Sequence, residues 1–137
     1  MLRNYNEQDI IARVSLICNA LYLVITGGYL LTLEGSAYST PTYELMSGVL
    51  SLGAFGVMFI VAGLLIVHAA IQEGTRRSRS LLIGGLLGGL LLGLYTMASA
   101  EGSLNDMLPL RYAVVTGFNV IIAIVGGIGL WINKRAM

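Results

Sequence analysis

The side chains in this sequence best placed to do chemistry are amides and hydroxyls set inside apolar runs. Ser15, Asn19 and Thr26 fall with Ala12, Tyr22 and Tyr29 at alternating spacings of three and four residues, which is one side of a helix. An amide in apolar surroundings must find a hydrogen-bond partner, because leaving it unpaired forfeits its whole solvation. Asn119, in the last apolar run, is the first candidate partner for Asn19, and a backbone carbonyl is the second. Such a stripe has two uses. It can tie helices together, or it can give a permeant a polar lining through Ser15, Asn19, Thr26, Thr116 and Asn119.

The other reactive residue types stand alone. His68 lies near the end of an apolar run with no second histidine or carboxylate at metal-ligand spacing, so it reads as an interfacial residue, with pH sensing as the alternative. Cys18 is the one cysteine, so no intramolecular disulfide can form. There is no Ser/His/Asp or Cys/His set, no HExxH and no histidine pair for haem. No Asp, Glu, Lys or Arg falls in the middle of an apolar run, where proton- and cation-coupled transporters usually place one. The expectation is a protein that is not an enzyme and holds neither metal nor cofactor.

The most distinctive pattern is made of glycine. Gly84, Gly85, Gly88, Gly89 and Gly93 crowd one run, with 85, 89 and 93 repeating every four residues. Ala123 and Gly127 repeat the spacing in the last run, beside Gly126 and Gly129; Ser47 and Ser51, then Gly56 and Gly63, mark the second. Between helices in lipid, close backbone approach replaces the hydrophobic effect as the source of association, and glycine permits it. Gly85, Gly89 and Gly93 are therefore expected at near-backbone contact with another helix, and bulk at Gly89 is expected to disrupt the bundle or its assembly. A phosphate-binding loop is excluded, since no Lys-Ser/Thr follows the glycines.

The elements that must carry these residues follow from composition. Of 137 residues, 56% are hydrophobic and 11% charged, against about 25% charged in a soluble domain, so lipid is the expected solvent. The net charge of +1 gives nucleic acid no electrostatic footing. Four apolar stretches, about 10–33, 45–71, 81–99 and 112–132, each approach the ~20 residues that span a bilayer. They must be helices, because lipid offers free backbone groups no partner, and their sequences do not alternate as barrel strands do. The first is too long for a signal-peptide core and reads as a true span. Short joins force neighbours antiparallel. The predicted fold is all-α: residues 1–137 as one polytopic membrane domain, four transmembrane helices in an antiparallel up-down bundle.

Orientation follows from charge. Arg3, Arg13, Arg76, Arg77, Arg79, Lys134 and Arg135 fall at one side, and only Arg111 at the other, with Glu34, Glu44, Glu101 and Asp106. By the positive-inside rule, both termini are expected in the cytoplasm, with the plasma or inner membrane as the location. Tyr29, Tyr38, Tyr43, Tyr95 and Tyr112 suit the outer interface and Trp131 the inner one. Asn6 is expected to cap the first helix, with Glu7 and Asp9 at its positive end and Asp9 paired to Arg13. Arg76, Arg77 and Arg79 are candidate contacts for anionic lipid headgroups.

The function expected from these residues is helix packing: a small non-enzymatic assembly or accessory subunit of a membrane complex or homo-oligomer. Its expected partners are membrane lipids and other copies of itself or another membrane protein. The alternative is an oligomeric channel, holin-like pore or transporter for a neutral or weakly charged solute.

Overall fold

Leucine-rich runs that are apolar on every side fold as helices that must be surrounded by apolar matter. The computed structural model describes residues 6–33, 41–102 and 107–136; Arg3, Glu34, Tyr38 and Asp106 lie outside them. It is all-helical, with α1 (Glu7–Thr32), α2 (Pro41–Val49), α3 (Leu52–Ile71), α4 (Gly74–Gly102) and α5 (Met107–Arg135). Four of these, all but α2, are long and apolar enough to cross a membrane, with mean hydropathies of 1.8, 2.5, 1.9 and 2.2 in chain order.

The boundaries differ from the sequence reading at three places, each for a local reason. The expected second span is two helices, not one. The chain breaks at Ser51, whose extended backbone and side-chain oxygen, accepting from the Ala54 N–H at 3.2 Å, start α3 afresh. Pro41 opens α2, where its missing N–H leaves nothing unsatisfied. The expected long join before the third span shrinks to Gln72 and Glu73, because Gly74 takes φ +61° and α4 begins there. Arg76, Arg77 and Arg79 are consequently helical. Pro109 sits in the first turn of α5 rather than in a loop, again where no N–H is needed. Asn6 does occupy the N-cap of α1, but its side chain makes no capping bond.

α3 and α4 form the centre: 44% and 50% of their most apolar windows are buried, against 28% for α1 and 22% for α5. α1 packs on α3, α3 on α4, and α4 on α5, while α2 lies over α4. The core between them is filled by Leu23, Leu30, Phe59, Ile66, Leu91 and Leu92, all wholly inaccessible.

Candidate functional site

Two helix crossings rest on positions seven apart, and they have similar local geometry. In the first, a β-carbon on Gly63 of α3 would fall 2.9 Å from the Ala20 carbonyl oxygen and 3.4 Å from the Val24 nitrogen of α1. In the second, a β-carbon on Gly126 of α5 would fall 2.8 Å from the Ser78 oxygen of α4, and closer still to the Leu82 nitrogen. The other arm of each crossing repeats as well. A β-carbon on Gly27 would fall 2.5 Å from the Gly56 oxygen, and one on Gly85 would fall 2.8 Å from the Asn119 oxygen and 2.6 Å from the Ala123 nitrogen. Each crossing thus rests a glycine on a carbonyl and the amide one turn later. Backbones this close gain dispersion and Cα–H···O contacts that side chains would block.

The predicted glycines do not share one role. Gly84 lies against Ala62, Leu65 and Ile66 of α3, and Gly85 against the α5 backbone. Beyond Gly85 the helices part. A β-carbon on Gly89 would be 3.5 Å from Val120 Cγ2, and one on Gly93 would be 3.8 Å from Thr116 Cγ2, both ordinary contacts. The near-backbone contact expected at all three positions therefore holds at Gly85 alone. Gly127 also stands back, its β-carbon position 3.8 Å from Leu82 Cδ1. The parting leaves an open groove of about 650 Å³ walled by Gly85, Leu86, Gly89, Leu90, Val120, Ala123 and Gly127.

Gly88 is used differently again. A β-carbon there would fall 2.8 Å from Asn119 Oδ1, so the missing side chain is the space that admits an amide. Asn119 and Asn19 fill it as a reciprocal pair. Asn19 Nδ2 donates to Asn119 Oδ1 at 3.0 Å, and Asn119 Nδ2 donates to Asn19 Oδ1 at 3.1 Å and to the Val115 carbonyl at 2.9 Å. Asn119 is inaccessible and Asn19 is 6% exposed. The backbones of α1 and α5 otherwise barely approach one another, so this pair is the bolt between the two outer helices.

Two other hydroxyls of the predicted stripe, Thr26 and Ser15, stand apart from this pair. Thr26 donates to the Tyr22 carbonyl of its own helix at 2.8 Å, and Ser15 is exposed on the α1–α5 seam. Neither joins the amide pair. Toward the α2 end of the molecule, Thr96 and Thr116 meet at 3.4 Å, and the Tyr43 and Tyr95 hydroxyls lie 3.1 Å apart. Tyr112 packs edge-on to Tyr95 with ring centres 4.5 Å apart. Tyr95 is buried among these rings. Burial, more than its phenol neighbours, lifts Tyr43 of α2 above its usual ionisation range.

At the other end the charges form a clasp. Arg13 Nη1 donates to the Ala70 carbonyl, and Nη2 lies 3.6 Å from Glu73. Asp9, expected beside Arg13, lies 4.0 Å from Arg77. A cation on the last carbonyls of α3 is favoured by the helix dipole. His68 Nδ1 is 2.9 Å from Ser80 Oγ, which gives its ring a local partner. Arg76 and Arg79 point outward. Among the described residues, no three His, Cys, Asp or Glu side chains converge as a metal site would require.

Sequence reasoning marks Gly56 and Gly63 as an inward face but does not reach their partners on α1. The signal is the same seven-residue interval at Ala20 and Gly27. No protein-family model matches this chain, and no curated protein or solved structure proved similar to it.

Proposed function

We propose that this is a multi-pass membrane protein whose task is helix packing, a non-enzymatic assembly or accessory subunit joined to copies of itself or to another membrane protein. The observation that carries the reading is the open α4–α5 groove. Glycine in a helix costs roughly 1 kcal/mol relative to alanine, and at Gly89 and Gly127 a β-carbon would meet only ordinary contacts, from 3.5 and 3.8 Å outward, so the close backbone approach that offsets the cost at Gly85 is not made there. A transmembrane helix laid along the groove would. Lipid as solvent is supported by the outward side chains: Ile25, Leu90 and Val114 are 68%, 62% and 67% exposed, and apolar surface on this scale is foreign to a water-soluble monomer. The up-down antiparallel order is supported by the crossings, where Ala20 meets Gly63 and Gly27 meets Gly56.

Gly89→Leu tests the reading. Its β-carbon would meet Val120 of α5 only at ordinary distances, 3.5 Å from Cγ2 and 3.7 Å from the backbone nitrogen, and the open groove receives the rest of the side chain, so thermal unfolding should match the parent. The particle extracted in mild detergent should fall from a multiple of the monomer mass to the monomer. Equal particle masses for the two proteins would remove the packing role.

The clustering of Arg13, Arg76, Arg77, Arg79, Lys134 and Arg135 on one side supports cytoplasmic termini in a plasma or inner membrane. In a Cys18→Ala background, Glu44→Cys should react with an impermeant thiol reagent added outside intact cells, and Arg76→Cys should not. The opposite pattern inverts the topology. Both positions are exposed, whereas Ser78 is packed under Gly129.

One observation favours the second reading, a channel, pore or transporter for a neutral solute made from several copies: polar groups follow one another from Tyr43 and Tyr95 through Thr96 and Thr116 to Asn119 and Asn19. Vesicles holding the assembled particle should then leak glycerol faster than protein-free vesicles; equal rates would reject it.

A further inference from the structure

The side of the bundle away from the α4–α5 groove carries a different kind of opening. Below the Asn19–Asn119 bolt, α1 and α5 part over α4, leaving a slot of about 230 Å³ lined by Ala12, Ser15, Leu81, Phe118 and Ile122, with Arg77 at its mouth. Past Ser15 and Phe118 it continues toward Cys18 and Tyr22 as a wider, shallower opening. The three arginines beside the α3–α4 turn are therefore not equivalent. Arg76 and Arg79 are exposed, while the Arg77 side chain is folded inward and only 24% exposed.

We infer that this slot holds one acyl chain of an anionic phospholipid from the cytoplasmic leaflet, with the lipid phosphate on the Arg77 guanidinium. Three observations select that occupant. Apart from Ser15 the slot is apolar, and it is cationic only at its mouth, the polarity of a phospholipid entering from the headgroup side. Among the described residues the one carboxylate on Arg77 is Asp9, at 4.0 Å and half exposed, too distant and too wet to neutralise it. This end of the molecule carries six basic and three acidic described residues, so an anion is favoured over a zwitterion. A protein helix, about 10 Å across, is excluded by the bolt that ties α1 to α5 and by Phe118 standing in the wall. The guanidinium suits phosphate through its paired donors.

The inference rests on the bilayer reading above and goes beyond it, and its test separates the two. The full chain, extracted in mild detergent with equal amounts of phosphatidylglycerol and phosphatidylcholine, is examined by native mass spectrometry. The parent should retain phosphatidylglycerol over phosphatidylcholine by about fivefold, the ratio that one basic residue supplies near a membrane surface. Arg77→Gln should bring that ratio to about one, Arg77→Lys should keep most of it, and Arg76→Gln should leave it unchanged. Ala12→Phe, which fills the slot and keeps the arginine, should lower retention of both lipids. Equal losses from Arg77→Gln and Arg76→Gln would reduce the effect to surface charge and overturn the site. So would a Cys18–Cys18 disulfide between copies in oxidised membranes, which would place a second protein over the seam. Retention of neither lipid by the parent would overturn the site alone, whereas recovery of the chain from cells in the aqueous fraction without detergent would remove the bilayer reading as well.

Discussion

Alanine at Gly85 should lower the unfolding temperature of the protein in detergent, and alanine at Gly89, one turn along the same helix, should not. On propensity alone both changes stabilise, by roughly 1 kcal/mol. The difference lies in what the new methyl meets. At Gly85 it would fall 2.6 Å from the Ala123 nitrogen, 2.8 Å from the Asn119 oxygen and 3.0 Å from the Ala123 α-carbon, all backbone atoms of α5. No rotamer relieves that clash. The helices must separate along the crossing, and overpacking of this kind costs about 1–3 kcal/mol, to which the lost backbone contacts add. At Gly89 the nearest atom is a valine methyl at 3.5 Å, which is ordinary contact, so the propensity gain survives. Gly126, also set against backbone, should behave as Gly85 does. Circular dichroism melts of the three variants in one detergent decide the matter. Equal melting of Gly85→Ala and Gly89→Ala would mean the crossing contributes nothing.

That ranking within the glycine strip shows what the sequence could and could not convey. Spacing places Gly85, Gly89 and Gly93 on one helix face, but it cannot say at which of them two straight helices cross, because that depends on the angle between them. The four apolar runs are legible because a long all-round apolar stretch has one physical solution. The break at Ser51 is not, since apolar residues continue on both sides of it and the stop is made by a single hydroxyl on the Ala54 N–H. Helical spacing assigns Arg13 to Asp9, whereas its hydrogen bond to Ala70 and its approach to Glu73 join residues far apart in the chain. The Asn19–Asn119 pairing can be anticipated because an amide in apolar surroundings has few ways to be satisfied. The use of Gly88 to make room for it cannot, because that requires three helices in place at once.

The amide pair also yields the second large expected effect, a coupling between two residues one hundred positions apart. Asn119→Leu removes the partner of both polar groups of Asn19 inside the bundle and should cost about 1–3 kcal/mol, the desolvation penalty of groups left unmatched. Asn19→Leu should cost less, about 1 kcal/mol, because Asn119 keeps its bond to the Val115 carbonyl. The double variant, Asn19→Leu with Asn119→Leu, leaves no orphaned amide and places two apolar side chains face to face. Its cost should fall below the sum of the singles by about 0.6–1.7 kcal/mol, between the average and the maximum measured for polar pairs between membrane helices. Gly88 supplies the control that links this coupling to the geometry. A methyl there would sit 2.8 Å from Asn119 Oδ1 and 3.3 Å from Leu23 Cδ1. Unlike the atoms facing Gly85, these belong to side chains that can move. Gly88→Ala should therefore leave the fold standing while pushing the Asn119 amide off its partner. The same cycle repeated in the Gly88→Ala background should give a coupling near zero. If the coupling is already absent in the parent, the two amides are not partners. If it persists undiminished in the Gly88→Ala protein, the pair does not depend on the space that glycine leaves.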